Sequence, residues 1–195
     1  IVHRLDKDTS GVMVVAKGDA ALRALQKQFK DRTTVKRYLA LVRGAVKEDE
    51  GTWDTPYGRH PTQRMRFTSR RGDRRAVTDF RVVARSPGAG VTLLELALHT
   101  GRTHQVRVHA AEHGFPLLGD ALYGGRSPGR LPGGQEDVVP RHMLHATFLQ
   151  VVHPRVARKV LRLKAPLPRD FLDVAAATGL AGVLEEWWRT RVDRE

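Results

Sequence analysis

The chain has 195 residues, of which 41% are hydrophobic, and 34 lysines and arginines against 21 acids give it a formal net charge of +13. This length and apolar content suffice for one domain with a core, and the charge indicates a polyanionic partner, with nucleic acid as the first candidate. The lack of cysteine excludes disulfides, cysteine-based zinc sites and a thiol nucleophile. Without a signal peptide or an apolar run of about 18 residues, we expect a cytoplasmic protein that does not enter a membrane.

The first third of the chain is predicted to contain a strand, a helix and a second strand. The apolar run VMVVAK at 12–17 predicts a buried strand. GDAALRALQKQFKDR predicts an amphipathic helix with Asp19 as its N-cap, and its apolar positions are Leu22, Leu25 and Phe29. KRYLALVRG at 36–44 alternates apolar with polar residues and ends at a glycine, which predicts another strand.

The rest of the chain adds strands and helices in a similar alternation. AVTDFRVVAR and GVTLLELALH predict antiparallel neighbours joined by a turn at SPGAG. TGRTHQVRVHAAEHG predicts a helix with Thr103 near its start and Gly114 closing it. HATFLQVVHP and KVLRLKAP predict two strands, and the tail from Arg169 predicts two short helices. We therefore expect an α+β fold, a largely antiparallel mixed β-sheet with flanking helices and loops, as a single domain over residues 1–195.

Two segments show no periodicity. Between Tyr57 and Arg75 stand seven arginines and a single acid, Asp73. Such self-repulsion is tolerated most easily beside phosphate. We therefore predict that these arginines contact RNA: Arg59, Arg64, Arg66, Arg70, Arg71, Arg74 and Arg75. The second segment, GGRSPGRLPGGQED at 124–137, is rich in glycine and proline and predicts a mobile loop.

The opening stretch IVHRLDKDTSG sets many ionisable side chains before a small-residue turn. One interpretation is a solvated turn with a surface ion pair between Arg4 and Asp6. Another is the D-x-D-x-T pattern of haloacid dehalogenase-type phosphatases, because Asp6 and Asp8 could share a magnesium ion. The stretch HAAEH at 109–113 leaves a third interpretation open, a zinc protease whose two histidines lie one helical turn apart.

A fourth interpretation depends on several fragments together. HRLDKDTSGVMVVAK at 3–17, KRYLALVRG at 36–44 and TGRTHQVRVHAAEHGFPLLGDALYGG at 100–125 closely resemble three signatures of the RluA-type pseudouridine synthases. LHATFLQVVHP and LKAPLPRDF resemble later segments of that family in the same order. The opening is most similar to the RluD-like branch, which acts on large-subunit ribosomal RNA.

This resemblance implies an enzyme that isomerises specific uridines in structured RNA to pseudouridine. The reaction breaks the bond from ribose C1′ to uracil N1 and rejoins the base through C5, and it requires no metal and no cofactor. By similarity, Asp6 is the catalytic carboxylate, as a nucleophile or as a base toward the ribose. Arg102 is the guanidinium that keeps Asp6 ionised, and Tyr38 is the aromatic residue that stacks on the uracil.

The resemblance also implies how the target base is reached. Arg4 matches the residue that enters the RNA and fills the space left by the flipped base. We expect His104, Gln105 and Arg107 to contact the RNA backbone or to support the site. The expected partner is RNA, with ribosomal RNA favoured over tRNA, and the protein is expected to act as a monomer.

In this family, further strands of the catalytic core precede the opening signature, and often a small RNA-binding domain of the S4 type. We expect both to be absent from this chain, which begins two residues before His3. The alternative function is therefore an RNA-binding module without activity, and a metal-dependent phosphatase or protease is a weaker one.

Overall fold

The structure is a computed structural model that describes residues 1–124, 130–131 and 139–192. Most of the loop predicted at 124–137 lies outside these residues. None of the helices in the described ranges has the length and apolar character that a bilayer span requires.

The described residues form eight strands and four α-helices. The strands are β1 (Ser10–Gly11), β2 (Val35–Arg43), β3 (Glu50–Arg59), β4 (Phe67–Thr68), β5 (Arg74–Ser86), β6 (Val91–Leu98), β7 (Leu144–Val152) and β8 (Val160–Lys164). The helices are α1 (Asp19–Lys30), α2 (Gln105–Glu112), α3 (Arg169–Ala177) and α4 (Ala181–Trp187), and a π-helical turn (Trp188–Val192) follows α4.

All described strands belong to one twisted sheet in the order β1-β7-β2-β6-β5-β3-β4. One edge of β7 pairs with β2, and its other edge pairs first with β1 and then with β8. The β1–β7 pair is parallel and every other pair is antiparallel. This confirms the predicted α+β fold with a largely antiparallel mixed sheet.

The central strand β2 is apolar on both faces, because both faces are covered. Leu39 and the side chains on its face pack against Phe171 of α3 in one hydrophobic cluster. Ala40, on the opposite face, packs with Val106 and Ala110 of α2 in a second cluster. The sheet thus lies between the C-terminal helices and α2, and α2 covers the face on which the candidate site is built.

The prediction of a strand at 12–17 is wrong. Residues 12–16 are extended, and Val12 and Val14 pack inward while Met13 and Val15 are exposed, but only the amide of Val12 continues the pairing with β7. The edge of β7 beyond this point is occupied by β8 from Phe148 onward, so the segment leaves the sheet. Asp19 likewise differs from its predicted role, since it is the first residue of α1 and Gly18 precedes it without a side-chain cap.

Strands β3 and β4 were not predicted from the sequence. Trp53 and Tyr57 of β3 are buried on one face, but proline, glycine and charged residues surround them and obscure the alternation. The arginine-rich segment contains the end of β3, all of β4 and the start of β5. It is therefore a folded part of the sheet.

Candidate active site

Five of the site residues predicted from the sequence line one cavity of about 100 Å³: Arg4, Asp6, Tyr38, Arg102 and Gln105. Apolar side chains of Leu98, Val106 and Leu144 form part of its wall. The cavity lies where the opening loop meets the middle of the sheet and the start of α2. Polar groups that converge on a partly apolar pocket are typical of a site that binds and orients one small chemical group.

The loop that carries Asp6 is held in a defined conformation. The amide of Thr9 donates to the Asp6 carbonyl over 3.0 Å, which closes a tight turn. Asp8 adopts a left-handed conformation with φ of 70°, and Nη1 of Arg141 donates to its carbonyl over 2.9 Å. A carboxylate on such a turn loses little further freedom when a substrate binds.

The turn is joined to the sheet through β1. Ser10 hydrogen-bonds Nδ1 of His145 through its hydroxyl at 2.8 Å. Gly11 has φ of +124°, and a Cβ at this position would lie 2.3 Å from the carbonyl oxygen of Ala146. Only glycine permits this close approach of the two backbones. The sequence TSG after Asp6 therefore sets the loop directly against β7.

The cation nearest to Asp6 is Arg107, with Nη1 at 3.9 Å from the Asp6 carboxylate. Arg107 is buried, and Asp120 binds it through two hydrogen bonds, from Nε at 2.7 Å and from Nη2 at 2.9 Å. Such paired hydrogen bonds fix the plane of a guanidinium. Arg107 therefore presents its remaining nitrogen to Asp6 in a defined orientation.

Asp120 is fully buried, and its charge is well compensated. Its Oδ1 also accepts hydrogen bonds from the amides of Leu122 and Tyr123, each over 2.9 Å. Burial by itself would raise the pKa of Asp120, but the hydrogen bonds and charge of Arg107, with these amides, hold the pKa below its usual value. The pair thus remains ionised inside the protein.

Arg102 is the residue predicted from the sequence to keep Asp6 ionised. Arg102 lines the same cavity, but its Nε donates to the carbonyl of Arg75 over 3.1 Å. It lies in the turn before α2, whereas Arg107 is the third residue of α2. Among the described residues, the ion pair with Asp6 is made by Arg107. Because Arg107 is buried against Asp120, it is also not placed as a contact to the RNA backbone.

Gln105 fits the supporting one of its two predicted roles. Its side chain is buried, and its Oε1 accepts from the Thr100 hydroxyl at 2.7 Å and from the Arg102 amide at 3.0 Å. Its Nε2 donates to the Val77 carbonyl and the Thr78 hydroxyl of β5. Gln105 therefore fixes the turn before α2 to the sheet and has no group left for RNA.

Tyr38 projects from β2 at an irregularity of the sheet. The register between β2 and β7 shifts between Arg37 and Tyr38, and such bulges re-aim a side chain. Burial, with the negative charge of Asp6 as a smaller cause, raises the pKa of Tyr38 to about 12. The phenol therefore stays neutral at physiological pH, and its ring is half-buried at the wall of the cavity.

Tyr123 connects the site to the arginine-rich segment. Its hydroxyl accepts from the amide of Phe67 over 3.0 Å and lies 3.0 Å from Nδ1 of His104. Burial lowers the pKa of His104, so its neutral ring can accept a hydrogen bond from the hydroxyl of Tyr123. The Tyr123 ring lies 5.2 Å from the Arg107 guanidinium and 5.0 Å from that of Arg66. The sequence analysis missed Tyr123 and Asp120, although both stand in the quoted GDALYGG.

The histidines of HAAEH are engaged in the fold. His109 is buried, and its ring nitrogens lie 2.9 Å from the hydroxyl of Thr55 and 3.0 Å from that of Thr78. The His113 ring stacks on Trp53, with 5.1 Å between the ring centroids. Since both nitrogens of His109 have partners, the zinc interpretation finds no support. Within the described ranges, no three acidic or histidine side chains are grouped as metal ligands.

Buried neutral histidines predict acid sensitivity. Burial lowers the pKa of His109 and of His142 to about 4 in the folded protein. The unfolded chain takes up these protons near pH 6.5, so the free energy of unfolding should fall as the pH drops from 6.5 to 4. We expect a loss of about 2 kcal/mol per histidine at pH 5 relative to pH 7. Urea denaturation at both pH values measures it.

The matched variant for this prediction is His109→Gln, because an amide can both donate to and accept from the two threonines. The loss of unfolding free energy between pH 7 and pH 5 should shrink by about 2 kcal/mol in this variant, which is the share of one histidine. Equal free energies of unfolding at the two pH values in the unmodified protein would contradict the prediction.

The predicted RNA-contacting arginines border the site. Arg59, Arg74 and Arg102 line a cavity of about 410 Å³ that shares Gly101, Arg102 and Thr103 with the cavity of Asp6. Of the remaining members of the segment, Arg66 donates to Gln63, Arg75 forms an ion pair with Asp54, and Arg64, Arg70 and Arg71 are exposed. Glu112 anchors the segment by accepting hydrogen bonds from Thr68 and Ser69.

The family model of the RNA pseudouridylate synthases matches residues 1–112 of this chain. An uncharacterized RNA pseudouridine synthase of Aquifex aeolicus is 52% identical over 127 residues, which are 65% of this chain and 40% of that protein. The ribosomal large subunit pseudouridine synthase D of Nitrosomonas europaea is 45% identical over 172 residues, 87% of this chain and 48% of that protein. The chain thus spans about half the length of these relatives.

Solved structures agree with this relationship. The human RNA pseudouridylate synthase domain containing 1 superposes with a TM-score of 0.70 at 31% sequence identity, over 86% of this chain and 68% of the human one. The fold, the ordered sequence signatures and the family model therefore agree with the resemblance predicted from the sequence. The chain belongs to the RNA pseudouridylate synthase family.

Proposed function

We propose that this protein isomerises uridine to pseudouridine in structured RNA, with large-subunit ribosomal RNA as the substrate. The observation that carries the proposal is the partly buried carboxylate of Asp6, with Arg107 behind it and Tyr38 in the same small cavity. The name of the Nitrosomonas europaea relative, a ribosomal large subunit pseudouridine synthase, supports the choice of RNA.

In the proposed reaction, Asp6 acts directly on the ribose of the target nucleotide. It either attacks C1′ or removes a ribose proton, and the bond from C1′ to N1 breaks. The released uracil turns and C5 bonds to C1′. In the first route the bond from Asp6 to C1′ breaks at this point, and in the second Asp6 returns the ribose proton. C5 then loses its proton and N1 gains one. The positive charge of Arg107 stabilises the negative charge of Asp6 at the start of the reaction and after its release.

The other residues prepare the nucleotide for this step. Tyr38 offers an uncharged ring on which the uracil stacks. Arg4 is exposed next to Asp6 and fills the space that the flipped base leaves in the RNA. Arg102 and the exposed arginines of the 59–75 segment bind phosphates beside the cavity and hold the RNA in register.

The test is tritium release from ribosomal RNA labelled at C5 of uridine, because forming the bond from C5 to C1′ expels the hydrogen at C5. We expect release that continues in the presence of EDTA. RNA that binds without any release would identify an inactive binding module, and release that stops with EDTA would indicate metal-dependent chemistry.

A further inference from the structure

A second cavity adjoins that of Asp6 on the side away from the arginine-rich segment. Its volume is about 430 Å³, and it shares Arg4, Tyr38, Leu98, Gly101 and Arg102 with the Asp6 cavity. The other charged or titratable side chains that line it are His3, Lys30, Arg32, Lys36 and His99. In the described part of the chain, no acidic side chain lines it.

Among the described residues, three cations of this cavity lack partners of opposite charge, whereas His99 pairs with Asp79. Across the described ranges, neither Lys30, Arg32 nor Lys36 forms an ion pair, and the acid that neighbours them in sequence, Asp31, pairs with Lys27. The Lys36 ammonium donates only to a backbone carbonyl, that of Thr100, over 3.4 Å. Like charges that face one shared space repel each other unless an anion enters it.

The pKa of Lys36 reflects both its burial and this repulsion. Burial, and next the charge of Arg32, lower the pKa of Lys36 to about 8, and burial and the charge of Lys36 in turn lower the pKa of His3. An entering phosphate would oppose the effect of both causes on these pKa values, because it supplies a negative charge and hydrogen-bond acceptors to the ammonium. The cavity therefore has the electrostatic character of an anion site.

Arg32 adds a conformational observation. It follows α1 with φ of 59°, in the left-handed region that glycine adopts without strain after a helix. Arg32 lies in the connection between α1 and β2, and its side chain lines the cavity. An arginine therefore stands in this wall at a position where a glycine would be less strained.

The Lys36 cavity and the cavity with Arg74 are built on strands at opposite sides of β6, since Lys36 belongs to β2 and Arg74 to β5. The cavity with Arg59 and Arg74 and the cavity with Lys36 both contain Gly101 and Arg102, and both overlap the cavity of Asp6. We propose that the Lys36 cavity binds a backbone phosphate next to the target uridine, on the opposite side of that uridine from the phosphates held by the arginine-rich segment. That the nucleotide in the Asp6 cavity is a target uridine depends on the proposed function, whereas the presence of a phosphate site in the Lys36 cavity does not.

The experiment measures the dissociation constant of a fluorescently labelled ribosomal RNA hairpin over a salt series. Lys36→Gln should weaken binding about tenfold at low salt and reduce the slope of log K against log salt by roughly 0.7 to 1, the value of one phosphate contact. Lys30→Gln, a change at an exposed position of the same cavity, should act in the same direction. If Lys36→Gln does not fold, the measurement on Lys30→Gln still tests the phosphate site.

Lys47→Gln is the matched control, because it removes the same charge at an exposed position beyond the other end of β2. The strand separates the two lysines by roughly 25 Å. Lys47→Gln should leave affinity and slope unchanged. If Lys36→Gln and Lys30→Gln behave like Lys47→Gln, or if Lys36→Gln loses turnover at saturating RNA with unchanged affinity, the phosphate site is refuted.

A double variant tests that the two phosphate sites are separate. Arg74→Gln removes a charge from the cavity on the other side of Asp6. Its loss of binding free energy should add to that of Lys36→Gln, since the two side chains stand on β5 and β2, with β6 between them, and would bind different phosphates. A double variant no weaker than either single one would overturn the arrangement. Lys36-dependent binding without tritium release would refute the proposed isomerase and leave the phosphate site standing.

Discussion

Asp6→Asn is expected to abolish tritium release, by at least about 10³-fold, the order of loss when a nucleophile or general base is removed. Asparagine keeps the size of the side chain but can neither attack C1′ nor take a ribose proton. RNA binding should persist, because loss of a negative charge does not weaken contacts to phosphate. The fold should persist as well, since Arg107 retains both hydrogen bonds to Asp120.

Asp8→Asn is the control for this variant. Asp8 lies two residues away on the same turn, is exposed, and has a positive φ that asparagine tolerates well. It should release tritium like the unmodified protein. A phosphatase would need both acids for its magnesium ion and would fail with either substitution. Isomerisation that survives Asp6→Asn would refute the proposed mechanism.

Arg107→Lys is expected to reduce turnover at saturating RNA by about 10²-fold. A lysine keeps the charge but has no planar fork, so it cannot bind both oxygens of Asp120 and face Asp6 in one orientation. A misplaced group in an active site commonly costs this much in rate. The free energy of unfolding should fall by about 1 to 3 kcal/mol, because the buried carboxylate of Asp120 loses one of its charged hydrogen bonds. Steady-state tritium release and urea denaturation measure the two effects.

Arg102→Met separates the two arginines. Arg102 hydrogen-bonds a backbone carbonyl at the edge of the cavity, so its loss should leave turnover at saturating RNA within about tenfold and the free energy of unfolding unchanged. RNA affinity should fall by the value of one phosphate contact. A larger loss of turnover in Arg102→Met than in Arg107→Lys would make Arg102 the guanidinium that acts on Asp6, as the sequence analysis expected.

Most strands and helices could be predicted from local patterns, because β2, β5, β6 and β7 have clear apolar periodicity. The errors occur where the local sequence pattern favours one structure and the pairing of neighbouring strands favours another. VMVVAK is an excellent strand sequence, yet β8 takes the edge of β7 that it would need. Strand β3 has a poor strand sequence, yet pairing with β5 over eight positions and burial of Trp53 and Tyr57 stabilise it.

The sequence by itself determined the family, the fold class and five residues that line the cavity of Asp6, since ordered signatures encode a chain that folds in one way. The sequence also carries the net positive charge that favours binding to RNA. Only the tertiary structure decided which arginine faces Asp6. Arg102 and Arg107 are both arginines of the same signature, five positions apart, and Asp120, thirteen positions after Arg107, selects Arg107 by binding it. The Lys36 cavity likewise has no sequence signature, because its cations come from α1, the turn after it, β2 and the opening loop, and only packing brings their charges together.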